Sequence, residues 1–384
     1  MHPRVVISVG NFFFALFSTA TIYILLPYLS SFMPAAYTGL VIAGGALVAC
    51  ALFPFLPRLV SRYGAQQMAL IFAIIEILAL IALAATPGVL AGAFFVALTV
   101  ALQPLLAYEL DLLLEAAASG EDTTGRVRAL FLTAWNTASL AAPLLIGALL
   151  ARSEAYNYVF LAAAIALVPF VTLFAARRLP EVKTPQLSRM GDTLRCIFHD
   201  RDLAAVTFGH LLLYLFFVWA PLYVPIYLHS ELGIPWNDLG WIFFVMLLPY
   251  VLIQYPSGVL ADRYLGDKEM MFAGFLLAGS SLAAIGFFSA STPLVVIACV
   301  LIVSRIGSAL IESMTEAHFF RRVSEKDINS VSVFRGIWPL ANLIAPVAGS
   351  FILLFGNYEL LFFFTGGFIA IAGAGATLFI KDFR

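Results

Sequence analysis

Charged residues are what this chain has least of. Asp, Glu, Lys and Arg make up 11% of its 384 residues, against roughly 25% in an ordinary soluble domain, so a water-solvated globule is excluded. A formal net charge of −1 leaves no basic surface for nucleic acid. Cysteine is nearly absent: Cys50, Cys196 and Cys299 show neither metal-ligand spacing nor the even count of a disulfide framework. They read as small packing residues. The sequence also lacks a Gly-rich phosphate loop, a nucleophile elbow, a His-Glu-x-x-His and a Cys/His set. An ATP-driven pump and an enzyme are therefore not expected, and no cofactor or metal is implied.

What the chain has instead is apolar surface, 62% of its residues. A membrane crossing needs about 20 apolar residues with every backbone amide satisfied inside the span. Twelve spans meet that measure, at about 5–29, 37–57, 67–86, 89–113, 125–150, 156–177, 203–228, 238–261, 269–290, 293–317, 328–353 and 357–380. The run at 5–29 is too long for the core of a secretory signal and reads as a retained first helix. The expected fold is an all-α membrane protein with twelve transmembrane helices in two pseudo-symmetric six-helix bundles, 1–177 and 203–384. Between them lies a polar linker, 178–202. Its Leu187, Met190, Leu194, Ile197 and Phe198 are spaced for one apolar helical face, which fits an interfacial helix; a loose charged linker is the alternative.

Basic residues fix the expected orientation. Every Lys and Arg except Arg152, Arg305 and Arg335 falls at a terminus, in an even-to-odd loop or in the central linker. By the positive-inside rule both termini are cytoplasmic, in a multi-pass protein of the cytoplasmic (inner) membrane.

The chain also repeats itself. Asp111-Leu-Leu-Leu-Glu115 is followed by an Arg-containing stretch at 124–136 and then Ala142-Pro143-Leu-Leu-Ile-Gly147. Glu312-Ser-Met-Thr-Glu316 is followed by Asp327 to Arg335 and then Ala345-Pro346-Val-Ala-Gly349. Related halves are a common build of secondary transporters, with the substrate site where the halves meet.

Between the eighth and ninth spans the chain reads Gly258-Val-Leu-Ala-Asp262-Arg263-Tyr-Leu-Gly266-Asp-Lys268. This resembles the Gly-x-Leu-Ala-Asp-Arg-x-Gly signature of the major facilitator superfamily, with Leu265 as one extra residue. The counterpart between the second and third spans, Ser61-Arg62-Tyr-Gly64-Ala-Gln-Gln, keeps the arginine and glycine but has Ser61 for the aspartate and no trailing basic residue. Ala142-Pro143-Leu-Leu-Ile-Gly147 weakly resembles the Gly-Pro-x-x-Gly-Gly element of the superfamily's antiporters, without its first and second glycines. The resemblance spans the whole chain and implies a transporter fold in which the tenth helix lines the cavity and the third faces lipid.

Physical chemistry assigns those loops a role of its own. Glycine lets helices approach closely, and an Asp-Arg pair can tie neighbouring helix ends by charge-assisted hydrogen bonds. Arg62 is then placed for Asp111 or Glu115, and Arg263, beside Asp262, for Glu312 or Glu316. With Arg335 these form a cytoplasmic latch, one cluster per half; direct substrate or proton binding by the acids is the alternative. Charges deeper in the bilayer cost about 2.5–3.5 kcal/mol each on insertion scales and mark candidate sites. Arg305 and Glu312, seven residues apart on one helix face, read either as an anion clamp with its neutraliser or proton-carrying partner, or as a buried structural pair. Glu76, Glu109, His210 and Glu312 are candidate proton carriers, with a hydrogen-bonded structural role the alternative for Glu76 and His210.

Other polar side chains on expected cavity helices are Asn11, Tyr23, Gln103, Asn136, Tyr214, Gln254, Trp338 and Asn342. Aromatic walls with few polar groups suit an organic, partly apolar ligand. Pro104, Pro143 and Pro346 are expected to bend their helices. The resulting expectation is a secondary active permease moving a small organic solute by alternating access, with proton coupling open and a monomer assumed. The alternatives are a non-transporting receptor or sensor of the same fold, against which the short loops speak, and a flippase of a lipid-like substrate.

Overall fold

The computed structural model describes residues 2–85, 88–117, 124–151, 155–180, 197–253, 256–257, 260–261, 265–323, 333–334 and 336–381, with backbone only for 124–129. The described residues are almost entirely helical. In chain order the helices are α1 (Pro3–Ser30), α2 (Ala35–Leu52), α3 (Leu56–Tyr63), α4 (Ala65–Ala84), α5 (Val89–Ala117), α6 (Thr124–Leu150) and α7 (Tyr156–Ala176). They continue with α8 (Arg201–Ile226), α9 (Trp236–Leu252), α10 (Asp267–Ile285), α11 (Leu294–Arg322), α12 (Ile337–Phe355) and α13 (Tyr358–Thr377). Among the described residues, eleven segments are long and apolar enough to cross a membrane, and α9 is a shorter apolar helix.

One expected span needs correction. The second, expected as one helix over 37–57, is broken into α2, a 3-10 turn at Phe53–Phe55, and α3. Pro54 and Pro57 cause the break, because neither supplies the N–H that a continuous helix needs. The eighth, expected at 238–261, runs as α9 to Leu252 with an internal Pro249, and the described residues beyond it, Pro256, Ser257 and Leu260, are again helical, with the Ser257 N–H donating to the Ile253 carbonyl at 2.9 Å. Most of the linker helix expected at 178–202 lies outside the described residues.

The chain divides into two compact units. One comprises Met1–Pro185, Leu228–Ser230 and Ile234–Phe244; the other comprises Gln186–Tyr227, Glu231–Gly233 and Val245–Arg384. In each, long helices pack through small residues, because lipid gives no hydrophobic drive between helices and close approach maximises dispersion contact. In the first unit α6 meets the start of α9 backbone to backbone: a Cβ on Gly240 would lie 2.9 Å from the Pro143 carbonyl and 3.0 Å from Gly147 Cα. In the second, a Cβ on Gly274 of α10 would lie 2.8 Å from the Gly307 carbonyl of α11.

The motif glycine Gly349 has a different neighbour from Gly147, since a Cβ there would run into the Tyr223 ring and hydroxyl. Three residues earlier, Pro346 interrupts the hydrogen bonding of α12, and α8 braces the opened turn. Trp219 Nε1–H donates to the Ala345 carbonyl at 2.7 Å, and the Tyr223 hydroxyl donates to the Pro346 carbonyl at 3.4 Å. These two bonds tie α8 to α12 at the proline turn; the carbonyl that Pro346 itself leaves without a helical N–H is that of Asn342, four residues earlier. Bulky apolar residues such as Leu90, Phe287, Phe355 and Ile371 remain exposed along the helices, as a lipid-facing surface requires.

Candidate functional site

In the second unit, Arg305 is buried to 3% exposure within α11. Its guanidinium carbon sits 5.0 Å from the Phe216 ring centroid of α8, a cation–π contact, worth about 2 kcal/mol when desolvated. The Tyr250 hydroxyl of α9 is hydrogen-bonded to the Ser308 hydroxyl at 2.5 Å and lies within electrostatic reach of both Arg305 and Glu312. Among the described residues no ion pair joins Arg305 to Glu312 or to any other carboxylate, and the Arg305 Nε–H has no acceptor. A fixed Arg305–Glu312 pair, one of the two sequence readings, is therefore not formed. Seven residues place the two side chains on one face but about 10 Å apart along the helix axis, too far for a contact unless both reach toward each other.

His210 lies between rings: it stacks on Phe334 at 3.8 Å, meets Tyr214 edge-on at 4.8 Å, and its Nδ1 is 3.5 Å from the Thr315 hydroxyl. Phe334 stacks in turn on Phe319 at 4.0 Å. Trp338 and Asn342 are half-buried on α12, where the Asn342 amide donates back to the Trp338 carbonyl at 3.1 Å.

The densest polar group in this unit is one that the sequence does not announce. His318 near the end of α11 is fully buried, with Nε2 3.0 Å from Asp202 Oδ1 at the start of α8 and Nδ1 3.4 Å from Asp267 Oδ2 at the start of α10. Arg322 pairs with Asp200 at 2.6 Å and with Asp202 at 2.9 Å, Arg321 pairs with Asp267 at 3.2 Å, and the Lys381 backbone N–H donates to Asp202 Oδ1 at 2.8 Å. Two helix starts, one helix end and the chain segment after α13 are tied by a single network. Its only sequence signal is an acidic residue at each helix start and a histidine and two arginines at the end of α11, which by themselves say no more than orientation.

In the first unit, most polar candidates are engaged in packing. Asn11 is buried and its amide donates to the Phe131 carbonyl at 2.9 Å, tying α1 to α6. Gln103 accepts from the Ser18 hydroxyl at 3.1 Å and donates to the Thr21 hydroxyl at 3.2 Å, tying α5 to α1. Tyr23 stacks on Phe243 at 5.1 Å. Asn136 is half-buried on α6. Glu76 and Glu109 are fully buried, and among the described residues none of their carboxyl oxygens has a hydrogen-bond partner. Thr99 neighbours Glu76, yet no hydrogen bond closes between them.

The expected first-half latch differs from the structure. Arg62 lies over the Tyr63 ring at 5.3 Å, and among the described residues no ion pair joins it to Asp111 or Glu115. At the end of an exposed short helix, its guanidinium rests on its neighbouring ring. The tie at this end of the unit comes from Gln66, which donates to the Phe174 and Arg177 carbonyls, both at 2.6 Å, and accepts from the Leu179 N–H at 2.9 Å. Of the other predicted residues, Glu316 is on the exposed side of α11, while Gln254, Asp262, Arg263 and Arg335 lie outside the described residues.

Comparison with known proteins fits this build. Residues 206–383 match the Major Facilitator Superfamily. No curated protein matches the chain. Among solved structures, the nucleoside transporter NupG shares the fold with a TM-score of 0.77 at 13% identity, covering 99% of each chain. The xylose transporter XylE from E. coli, in its inward open conformation, aligns with a TM-score of 0.75 at 13% identity over 99% of this chain and 96% of its own. An auto inhibited POT family peptide transporter aligns with a TM-score of 0.73 at 13% identity over 100% of this chain and 99% of its own. Residues 206–383 thus resemble the Major Facilitator Superfamily, and the fold of this multi-pass membrane protein is shared from end to end with solved transporters of that build.

Proposed function

We propose that this chain is a secondary active transporter that moves a small organic solute across the cytoplasmic membrane by alternating access, with both termini in the cytoplasm and twelve helices working as two six-helix bundles. The observation that carries the reading is the fold shared along the full length with transporters of a nucleoside, a sugar and peptides. The bias of Lys and Arg toward one set of loops supports the orientation. Substrate contacts are assigned to side chains that packing leaves at least partly open: Tyr214, Asn136, Trp338, Asn342 and Glu312. Asn11 and Gln103 instead hold α1 to α6 and to α5. The buried carboxyls of Glu109 and Glu76, without hydrogen-bond partners among the described residues, support proton coupling.

The test is uptake into vesicles carrying the purified chain, across a solute panel, with and without an imposed pH gradient. Saturable uptake that a gradient accelerates in the parent, and that loses only its gradient dependence in Glu109→Gln, is expected. Specific solute binding with no flux in either direction would overturn transport in favour of a receptor.

A further inference from the structure

Three arginines on α11 are described, and they are not treated alike. Near the helix end, Arg321 has a carboxylate at 3.2 Å and Arg322 has one at 2.6 Å and another at 2.9 Å. Arg305, deeper and more completely buried, has none among the described residues, although Glu312 stands two turns away on the same helix. Among the described residues, acids pair with the arginines at the helix end and none pairs with Arg305, where an uncompensated charge costs most.

The geometry around Arg305 suggests what fills the gap. The Phe216 ring engages the guanidinium through a cation–π contact at 5.0 Å. Such a contact satisfies the charge from the face of the ring but accepts no N–H from the guanidinium edge. On that edge, Nε–H has no acceptor among the described residues. Nε–H and a neighbouring terminal N–H form the fork that meets two oxygens of one oxyanion side-on. The Tyr250 hydroxyl lies within electrostatic reach of the same guanidinium; because the Ser308 hydroxyl donates to the Arg305 carbonyl, Tyr250 donates to Ser308 at 2.5 Å and reaches a bound anion by turning its O–H away from Ser308.

We propose that Arg305, braced by Phe216 and flanked by Tyr250, is an oxyanion subsite for the transported solute, and that the solute carries a carboxylate or a phosphate. This deepens the transport reading and rests on it. The bound anion completes the charge pairing that the protein leaves open. Both anion types present paired oxygens to a guanidinium fork, and Phe216 next to the fork favours a solute with an apolar or aromatic body.

The experiment is thermal stabilisation of the purified chain by acetate, benzoate, glucose 6-phosphate and phenyl phosphate, each against its neutral counterpart acetamide, benzamide, glucose or phenol. At least one anion is expected to raise the unfolding midpoint while its neutral counterpart does not, and the better class separates carboxylate from phosphate. Arg305→Lys keeps the charge without the fork and is expected to weaken that anion by about tenfold or more; Tyr250→Phe should weaken it less. Anion stabilisation that survives unchanged in Arg305→Lys and Tyr250→Phe, or no stabilisation of the parent by any anion, overturns the assignment. Vesicle uptake keeps the two readings apart. An anion that binds through Arg305 but is never transported leaves the subsite and removes the transport reading. Parental uptake of a neutral solute by Arg305→Gln leaves transport and removes the subsite.

Discussion

The turns that open α4 and α10 are the same turn. Gly64 adopts φ 83° and ψ 144°, and Gly266 adopts φ 87° and ψ 161°; each occupies a region open almost only to glycine and hands the chain directly into a long helix. Past the glycine the two units part ways. In the first unit the ties among the described residues end on backbone groups without an ion pair: Gln66 holds the end of α7, and the charged Arg4 Nε–H donates to the Ala117 carbonyl at the end of α5, at 3.0 Å. In the second unit the tie is ionic, with Asp267 and Asp202 meeting His318, Arg321 and Arg322. The repeat has kept its backbone geometry and changed its chemistry. A tie through neutral groups changes little with pH and salt, whereas an ionic one responds to both.

The largest expected effect is therefore at Asp202, which has no exposure and three partners. Asp202→Ala leaves His318 and Arg322 short of a buried anion and should cost about 3–5 kcal/mol. Arg4→Ala, at the matching helix start, removes one charged hydrogen bond to a carbonyl and should cost about 1.5–3 kcal/mol at most. Unfolding midpoints in detergent decide it: equal losses would dissolve the contrast between an ionic clamp and one that ends on backbone groups.

The glycines test what the units share. Gly64 has open space where a Cβ would project, so Gly64→Ala isolates backbone strain, about 1–3 kcal/mol. Gly266→Ala should cost a similar amount, because the backbone angles agree. A loss at one position and none at the other would mean that the common turn is not a common requirement.

How far the sequence reveals this contrast depends on the range of the signal. Spans, and the breaks that Pro54 and Pro57 impose, follow from local hydropathy and proline chemistry, although hydropathy alone reads continuous helix through the 3-10 turn between α2 and α3. Gly64 and Gly266 stand out because a short motif carries them. The ionic network does not, since His318 meets Asp202 across 116 residues and Asp267 across 51, and no spacing rule links three helix ends that only packing brings together. Gln66 is visible only as a missing basic residue; an amide that both donates and accepts suits three backbone groups, which an ammonium cannot do because it never accepts. Asn11 and Gln103 attract attention as polar groups in lipid, and their partners show the usual reason for such groups, which is helix-to-helix hydrogen bonding.

Gln66 gives a smaller effect that sharpens the first half of the contrast. Gln66→Leu removes three hydrogen bonds at a partly exposed site, each contributing about 0.5–1.5 kcal/mol net, with water replacing part of the loss. A total near 1 kcal/mol, unchanged between low and high salt, is expected from chemical unfolding at several salt concentrations. A salt-dependent loss would show that charge acts in the first clamp too.

The smallest effect is at Asp200, on the rim of the ionic clamp, where it can be read as a pH profile. Partial burial pushes its carboxyl up, but the backbone amides of Asp202 and Leu203 and the charges of Arg322 and Lys381 outweigh that and hold it below its ordinary value. A carboxyl whose folded value is depressed stabilises the fold above its unfolded value, near pH 3.9, and that contribution fades as pH falls through the folded value. The Arg322 pair is one-third exposed on the Asp200 side, so screening limits the contribution to a few tenths of a kcal/mol. Asp200→Asn should thus be slightly less stable than the parent at pH 7, and the two curves should converge as pH drops from about 5 to about 3, because only the parent has the charge to lose. Raising salt should shrink the gap at pH 7, while Asp202, which also pairs with Arg322, keeps that arginine in place. Parallel curves across the whole range would remove Asp200 from the clamp and confine its ionic character to the buried carboxylates around His318.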